Sequence, residues 1–274
     1  MKKIIIPVVI SLCALTFTGC DPMEPSTYSE RLFRIGTVNA DETKVWLSID
    51  KTGQFEETVY LSNFNLPSHL GKFNVTDGDR VIAVMDFKAV GYMDNNSVEL
   101  RSLEKIPVIS MEDQKPADSL NYYYQFTKMM LGSTSYPAIW NTGHIVNICP
   151  IYFIPQNARK PEFYMYPVGV ASDTLLVRIY SYIPDADVSL NPDFTQTILC
   201  CDISTLTAPV ADSAEQAHRN RLLTSLRMLE TDHIYVRMIT PDSLRAKNSK
   251  NQNNPEFKLP IPGLSQTVQI PFDF

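Results

Sequence analysis

Glycine is scarce in this chain, with ten in 274 residues, and histidine scarcer still, with four. Loops that cradle phosphate through closely approaching backbone need glycine at fixed spacing. No Gly-x4-Gly-Lys stretch is present, nor a Gly-x-Ser-x-Gly elbow, nor His-Glu-x-x-His. The histidines, His69, His144, His218 and His233, are far apart in sequence. His144 lies five residues before Cys149 in a stretch that reads as a strand, which puts the two on opposite faces. No metal site and no cofactor is therefore expected. Positive charge is also in deficit, at 24 Lys and Arg against 30 Asp and Glu. A phosphate backbone calls for a basic face, so nucleic acid is not an expected partner. Carboxylates are plentiful, and a glycosidase pair is set by the fold rather than by spacing. No single pair stands out, so no catalytic residue is assigned and a non-enzyme is expected.

What is present begins at the N-terminus. Lys2 and Lys3 precede an apolar run, Ile4 to Phe17. As a helix, about fourteen residues would span roughly 21 Å, short of a bilayer but right for the apolar region of a signal peptide. Phe17-Thr18-Gly19-Cys20 resembles the lipobox of bacterial lipoproteins. There a small residue precedes a cysteine whose thiol takes a diacylglyceryl group. The expectation is a signal peptide over 1–19 and a lipid-bearing Cys20. Several acyl chains, at about 0.8 kcal/mol per buried methylene, give durable anchoring.

Removing nineteen residues leaves 255 of 274, and removing two signal lysines leaves 22 cations against 30 acids, a net charge of −8. That length suits one large domain or two small ones. Residues 20–31 carry Pro22, Pro25, Ser26 and Ser29 and read as a flexible tether. Cys149, Cys200 and Cys201 are an odd set, so at least one has no intrachain partner. Neighbouring Cys200 and Cys201 should point to opposite faces of a strand. A Cys149 bridge to either stays open at this point, beside buried free thiols.

Short apolar runs alternate with turn residues along the rest, which argues for an all-β chain. Strands are expected over Leu32–Ala40, Val45–Asp50, Thr58–Ser62, Arg80–Val90 and Val98–Ile109, enough for a small closed barrel over 32–110. The polar stretch Met111–Ser119 reads as a linker. Beyond it, over 120–274, come Tyr122-Tyr123-Tyr124, Trp140 and further strands through Thr174–Ile183 and Thr195–Ile203. One helix is expected over about Asp212–Glu230. Asp212 and Glu215 have capping-box spacing, and Leu222, Leu226 and Leu229 share one face. Arg219, Arg221 and Arg227 read as its solvated side.

A lipobox, a short β domain containing Asp77-Gly78-Asp79-Arg80-Val81-Ile82-Ala83-Val84, and a Tyr-rich β domain together resemble the NigD-like lipoproteins of Bacteroidota. The resemblance implies an OB-like N-terminal barrel followed by a β-sandwich, here with one added helix. It also implies an outer-membrane location, lipid-anchored and facing the periplasm or the cell surface. Asp21 and Glu24 fit a surface-export signal under the Bacteroidota sorting rule; under the enterobacterial rule Asp21 would mean inner-membrane retention. In exported Bacteroidota proteins, Asp-Ser/Thr followed by a small or aliphatic residue resembles an O-glycosylation site. The pattern occurs at Ser119, Thr174, Ser213 and Ser243. The leading expectation is an envelope lipoprotein that binds a partner, protein or glycan, without catalysis. A bacteriocin-immunity role, implied by the family alone, and a carboxylate-based hydrolase are the alternatives.

Overall fold

The computed structural model describes residues 27–50, 58–90, 97–117, 124–154, 161–182, 193–239 and 266–273. The N-terminal strands are β1 (Thr27–Ala40), β2 (Val45–Ile49), β3 (Thr58–Val59), β4 (Arg80–Val90) and β5 (Ser97–Lys105). They form one antiparallel sheet in the order β3-β2-β1-β4-β5. A short helix, α1 (Ser68–Phe73), lies between β3 and β4. This is an OB-like arrangement. At six residues this helix is too short to show periodicity in the sequence. Asn63 closes the curve: its Nδ2 donates to the Leu100 carbonyl at 2.7 Å and its Oδ1 accepts from the Leu100 N–H at 2.9 Å. One amide thus does the work of a ladder rung between the two edges of the sheet.

Alternation sorts the side chains. Val45, Leu47 and Ile49 face inward with Val38, Val81, Ala83 and Met85, and Phe64 fills the end. Gly36 faces β2 without a side chain; a Cβ there would lie 2.5 Å from the Ser48 carbonyl oxygen. Strand β1 starts five residues before the predicted Leu32. Thr27–Arg31 pair with Asp86–Val90 rather than hanging as a tether. Backbone pairing needs no apolar side chain, and the long β4 offers the partner, so composition alone hid this segment.

The second half contains β6 (Val108–Ile109), β7 (Tyr124–Phe126), β8 (Met129–Leu131), β9 (Thr134–Tyr136), β10 (Ile139–Thr142), β11 (Ile145–Ile148), β12 (Pro150–Ile154), β13 (Glu162–Ala171), β14 (Thr174–Tyr182), β15 (Asp193–Gln196), β16 (Leu199–Asp202), β17 (His233–Ile239) and β18 (Gln266–Pro271). Two sheets, β10-β11-β16-β6 and β13-β14-β17-β18, enclose the largest core. Val146, Ile148, Leu199 and Cys201 come from the first; Leu175, Val177, Ile179, Val236 and Ile270 come from the second. The all-β sandwich reading holds. A smaller sheet, β15-β12-β7, and the hairpin β8-β9 complete the half.

The added helix, α2 (Ser213–Arg227), has a topological reason. Strands β14 and β17 run parallel, and parallel neighbours need a crossover connection. Asp212 caps α2 by accepting from the N–H groups of Ala214 and Glu215 at 2.8 and 3.0 Å. Leu222, Leu223 and Leu226 bury its inner stripe in the sandwich core. Leu226 is fully buried, so Leu226→Ala should cost about 2–5 kcal/mol.

Candidate functional site

The central strands of the sheet β10-β11-β16-β6, β11 and β16, are buried on both faces. The sheet's second face, with Cys149, Cys200 and Ile198, packs against Ile35, Ile82 and Ile106 of the N-terminal half. In the middle of that contact stands a polar network. Arg80 opens β4 and Asp50 follows β2. Arg80 Nη1 donates to Asp50 Oδ1 at 2.9 Å, and Nη2 to Oδ2 at 2.5 Å. Trp140 Nε1 from β10 donates to the same Oδ2 at 2.7 Å. Arg80 also reaches Thr37 Oγ1 and Asn147 Oδ1, both at 2.9 Å, and the Cys200 thiol donates to Asn147 Oδ1 at 3.2 Å. The Arg80 and Asp50 side chains are 0% and 1% exposed. Burial alone would lower the Arg80 guanidinium, but the hydrogen bonds to Asp50 and its charge hold it above its ordinary value. Only Arg80 Nε lacks a partner within this network. Arg80, Asp50, Asn147 and Cys200 are buried and Thr37 and Trp140 partly so, and the network joins the two halves.

The hairpin β8-β9 extends the joint. Gly132 has φ +59° and meets the Phe33 ring so closely that a Cβ would lie 2.7 Å from it. The Ile35 N–H donates to the Tyr136 hydroxyl at 2.8 Å, and Arg34 reaches Thr134 Oγ1.

The predicted linker is likewise held. Arg219, expected on a solvated face, is 1% exposed. Its guanidinium donates to the carbonyls of Thr205, Ala208, Met111 and Glu112 at 3.2, 3.2, 3.3 and 2.7 Å. The Glu112 N–H bonds the Met165 carbonyl at 2.7 Å. Met111–Glu112 therefore lies along β13. A signal for this was present: Arg219 falls three and seven residues before Leu222 and Leu226, on the buried stripe of the helix. Arg221 and Arg227 are exposed, as expected.

All three cysteines, Cys149, Cys200 and Cys201, are free and buried. Cys200 faces the joint and Cys201 the sandwich core, the opposite-face arrangement expected of neighbours. Cys200 pairs across the ladder with Asn147, which makes Cys149 its diagonal neighbour. Diagonal Cα atoms are typically about 7–8 Å apart, beyond the usual disulfide range. Burial pushes the Cys149 thiol up to about 12 and raises those of Cys200 and Cys201.

Of the sequence-predicted sites, Cys20, Ser119 and Ser243 lie outside the described residues, as do Tyr122 and Tyr123. Thr174 begins β14, is 8% exposed and bonds Asp173 Oδ1 at 3.1 Å, so the folded chain does not present it for modification. Ser213 is exposed at the start of α2. Each histidine is engaged locally. His69 Nδ1 accepts from the Asn65 N–H at 3.2 Å, His144 meets Asp273 at 2.5 Å, His233 meets Asp232 at 2.7 Å, and His218 Nε2 donates to the Pro167 carbonyl at 3.0 Å. Pro167 borders a β-bulge on β13, and His218 stacks on Tyr166 with centroids 5.9 Å apart. Burial and the Glu215 carboxylate, which accepts from the Tyr166 hydroxyl, push that phenol up to about 12. Among the described residues no three metal-ligating side chains come together, and no helix is long and apolar enough to cross a membrane.

No protein-family model matches the sequence, and no curated protein matches it. Solved structures from Bacteroides and Parabacteroides species are similar along most of their length. A NigD-like immunity protein from Bacteroides caccae is 10% identical, with 77% of this chain and 85% of that one covered and a TM-score of 0.40. A protein of Bacteroides fragilis described as a lipoprotein is 10% identical, with 89% and 99% covered and a TM-score of 0.46. An uncharacterised protein from Parabacteroides merdae is 11% identical, with 88% and 98% covered and a TM-score of 0.49. The first of these carries the family name that the sequence resembles.

Proposed function

We propose that this chain is a lipid-anchored protein of the cell envelope whose β body binds a partner and performs no chemistry of its own. The observation that carries the binding reading is the joint. Two β units are fastened by a buried ion pair, an indole donor and an apolar ring. Such a joint fixes their relative orientation, and a fixed orientation lowers the ordering cost of presenting one composite surface. The anchor rests on Cys20 and the run before it. The outer membrane, with the body facing the periplasm or the surface, is the compartment this reading assigns.

The test uses the full chain in its native host. Wild type should fractionate with outer membranes and carry a triacylated or diacylated N-terminal peptide by mass. Cys20→Ala should leave the protein unlipidated; a variant that still partitions into membranes would overturn the anchor. Photo-crosslinking from exposed positions in living cells should give a discrete adduct absent from a buried control position. Smears or no adduct from every exposed position would overturn the binding reading.

A further inference from the structure

The outer face of β2 and β3 carries an arrangement that neither the joint nor the core uses. Register pairs Leu47 with Val59 and Ser48 with Thr58, so the next rung sets Trp46 beside Tyr60. The Leu47 and Val59 side chains point inward, which leaves Trp46, Ser48, Thr58 and Tyr60 on the outer face. On the other side of β2, Asn39 of β1 is the ladder partner of Trp46. The result is a strip with an aromatic row and, beside it, a row of hydroxyls. Trp46 and Tyr60 have ring centroids 6.3 Å apart and planes at 38°. Tyr60 is 61% exposed.

An exposed tyrosine leaning on a half-buried tryptophan needs an account, because neither ring belongs to a core cluster. Sheet twist explains the tilt: neighbouring strands rotate by roughly 20–25°, and the rings follow. The polar groups around the rings are ordered. Asn39 Nδ2 donates to the Thr37 carbonyl at 3.0 Å and to Ser48 Oγ at 2.9 Å. With both amide hydrogens spent, Asn39 offers Oδ1 as an acceptor; Ser48, already accepting, keeps its O–H as a donor. The Trp46 N–H and the Tyr60 and Thr58 hydroxyls make no hydrogen bond among the described residues. None of the five side chains is charged.

We propose that this strip is a binding site for a neutral oligosaccharide, a reading that rests on the binding role proposed above and names its ligand class. A sugar ring has apolar C–H faces that stack on aromatic rings and an equator of hydroxyls that both donate and accept. The strip supplies both in the right relation: two rings side by side, with mixed donors and acceptors along their flank. The lack of charge argues against an anionic polymer, as does the net −8 of the mature chain. It also argues against a charged peptide. The strip continues the same outer face of β2 that, two residues beyond Ser48, carries Asp50 into the joint. The second half is fixed beside it, so a glycan lying on the strip would meet a rigid wall at one end.

The experiment uses the full mature chain on an array of neutral gluco-, manno-, galacto- and xylo-configured oligosaccharides with sialylated and sulfated ones alongside. The strongest binder is then titrated by calorimetry and tryptophan fluorescence. Binding confined to neutral sugars is expected. Trp46→Ala and Tyr60→Ala should each weaken it at least tenfold, while Tyr60→Phe, which keeps the stacking face, stays within threefold. Unchanged thermal unfolding of each variant shows that the body is intact. Failure to bind any neutral oligosaccharide overturns the proposal, as does binding that survives both alanine substitutions. Neither result touches the binding reading itself, which stands or falls on the cellular adduct.

Discussion

Replacing Asp50 with alanine removes the carboxylate on which the joint depends. That group accepts two hydrogen bonds from Arg80, at 2.9 and 2.5 Å, and one from Trp140 at 2.7 Å. The guanidinium left behind is 0% exposed and keeps only two neutral acceptors, Thr37 Oγ1 and Asn147 Oδ1. Removing one member of a buried pair costs about 3–5 kcal/mol, because an uncompensated charge stays in a dry site. At ~2–4 °C per kcal/mol for a body of this size, Tm should fall by about 6–20 °C. Asp50→Asn should cost less than this but still destabilise, because one side of its amide presents N–H to a donor whichever way it turns.

A triple variant, Arg80→Met with Asp50→Leu and Trp140→Phe, separates loss of attraction from the burden of an orphaned charge. It removes the pair and the dependent indole donor together. Asn147 keeps its bonds to Thr142 Oγ1 and the Cys200 thiol, at 3.2 Å each. Apolar replacement of a whole buried pair is often neutral or stabilising, so the triple variant should unfold at higher urea than Asp50→Ala. Urea titration followed by tryptophan fluorescence reads the single variants. Calorimetry checks that the halves unfold together. A loss below about 1 kcal/mol for Asp50→Ala would mean that water enters the joint, and the argument for a rigid composite surface would fail with it.

Arg219→Met should destabilise by about 2–4 kcal/mol by taking the donor from the carbonyls of Ala208, Met111 and Glu112, while Thr205 keeps the Ala208 N–H, and limited proteolysis should then cut within 111–117, which stays intact in the parent. Native protein at pH 8 should leave Cys149, Cys200 and Cys201 unreacted with iodoacetamide, and all three should label in guanidinium without reductant. Labelling of a single cysteine under those unfolding conditions would reveal a disulfide instead. The side-chain hydrogen bond from Arg101, aided by Arg31, holds the Asp86 carboxyl below the usual carboxylate range. The unfolded chain therefore takes up that proton first as pH falls. Its stabilising effect is complete above about pH 4 and disappears as pH drops through the lower folded value. Asp86→Asn should accordingly flatten the decline of the urea midpoint below pH 4; an unchanged slope would refute the assignment.

What could be read from the sequence was the part governed by short-range rules. The alternation Val45-Trp46-Leu47-Ser48-Ile49 showed which residues enter the barrel. Arg80–Val90 emerged with its observed bounds. The cap at Asp212 was legible from spacing, although Glu215 turns to Tyr166 rather than back to the cap. Thr27–Arg31 and Met111–Glu112 look free in the sequence because they are held by backbone pairing and by a distant arginine, neither of which leaves a pattern in their own residues.

The joint shows why polar alternation can mislead about solvent. Arg80 lies outside the barrel, as its parity with Val81 and Ala83 requires, but outside the barrel is not outside the protein. The apolar Ile35 and Ile82 on that same outer face were the clue, since an outward isoleucine beside an outward arginine implies a covering layer. The cover is the sheet β10-β11-β16-β6, whose central strands β11 and β16 are mostly apolar because both their faces are buried. Asn147 is the fully buried polar residue of β11, 0% exposed and opposite Arg80. A buried asparagine in a largely apolar strand and a barrel arginine whose neighbour Asp79 turns instead to Thr76 and Lys105 are each unexplained alone. Together, with Asp50 at the end of β2, they specify one docking geometry. Any other register would leave a charge and an amide without partners. By the same reasoning Trp46, one rung beyond the covered zone and without a polar partner, is where the outer face stops serving the fold and becomes available to a ligand.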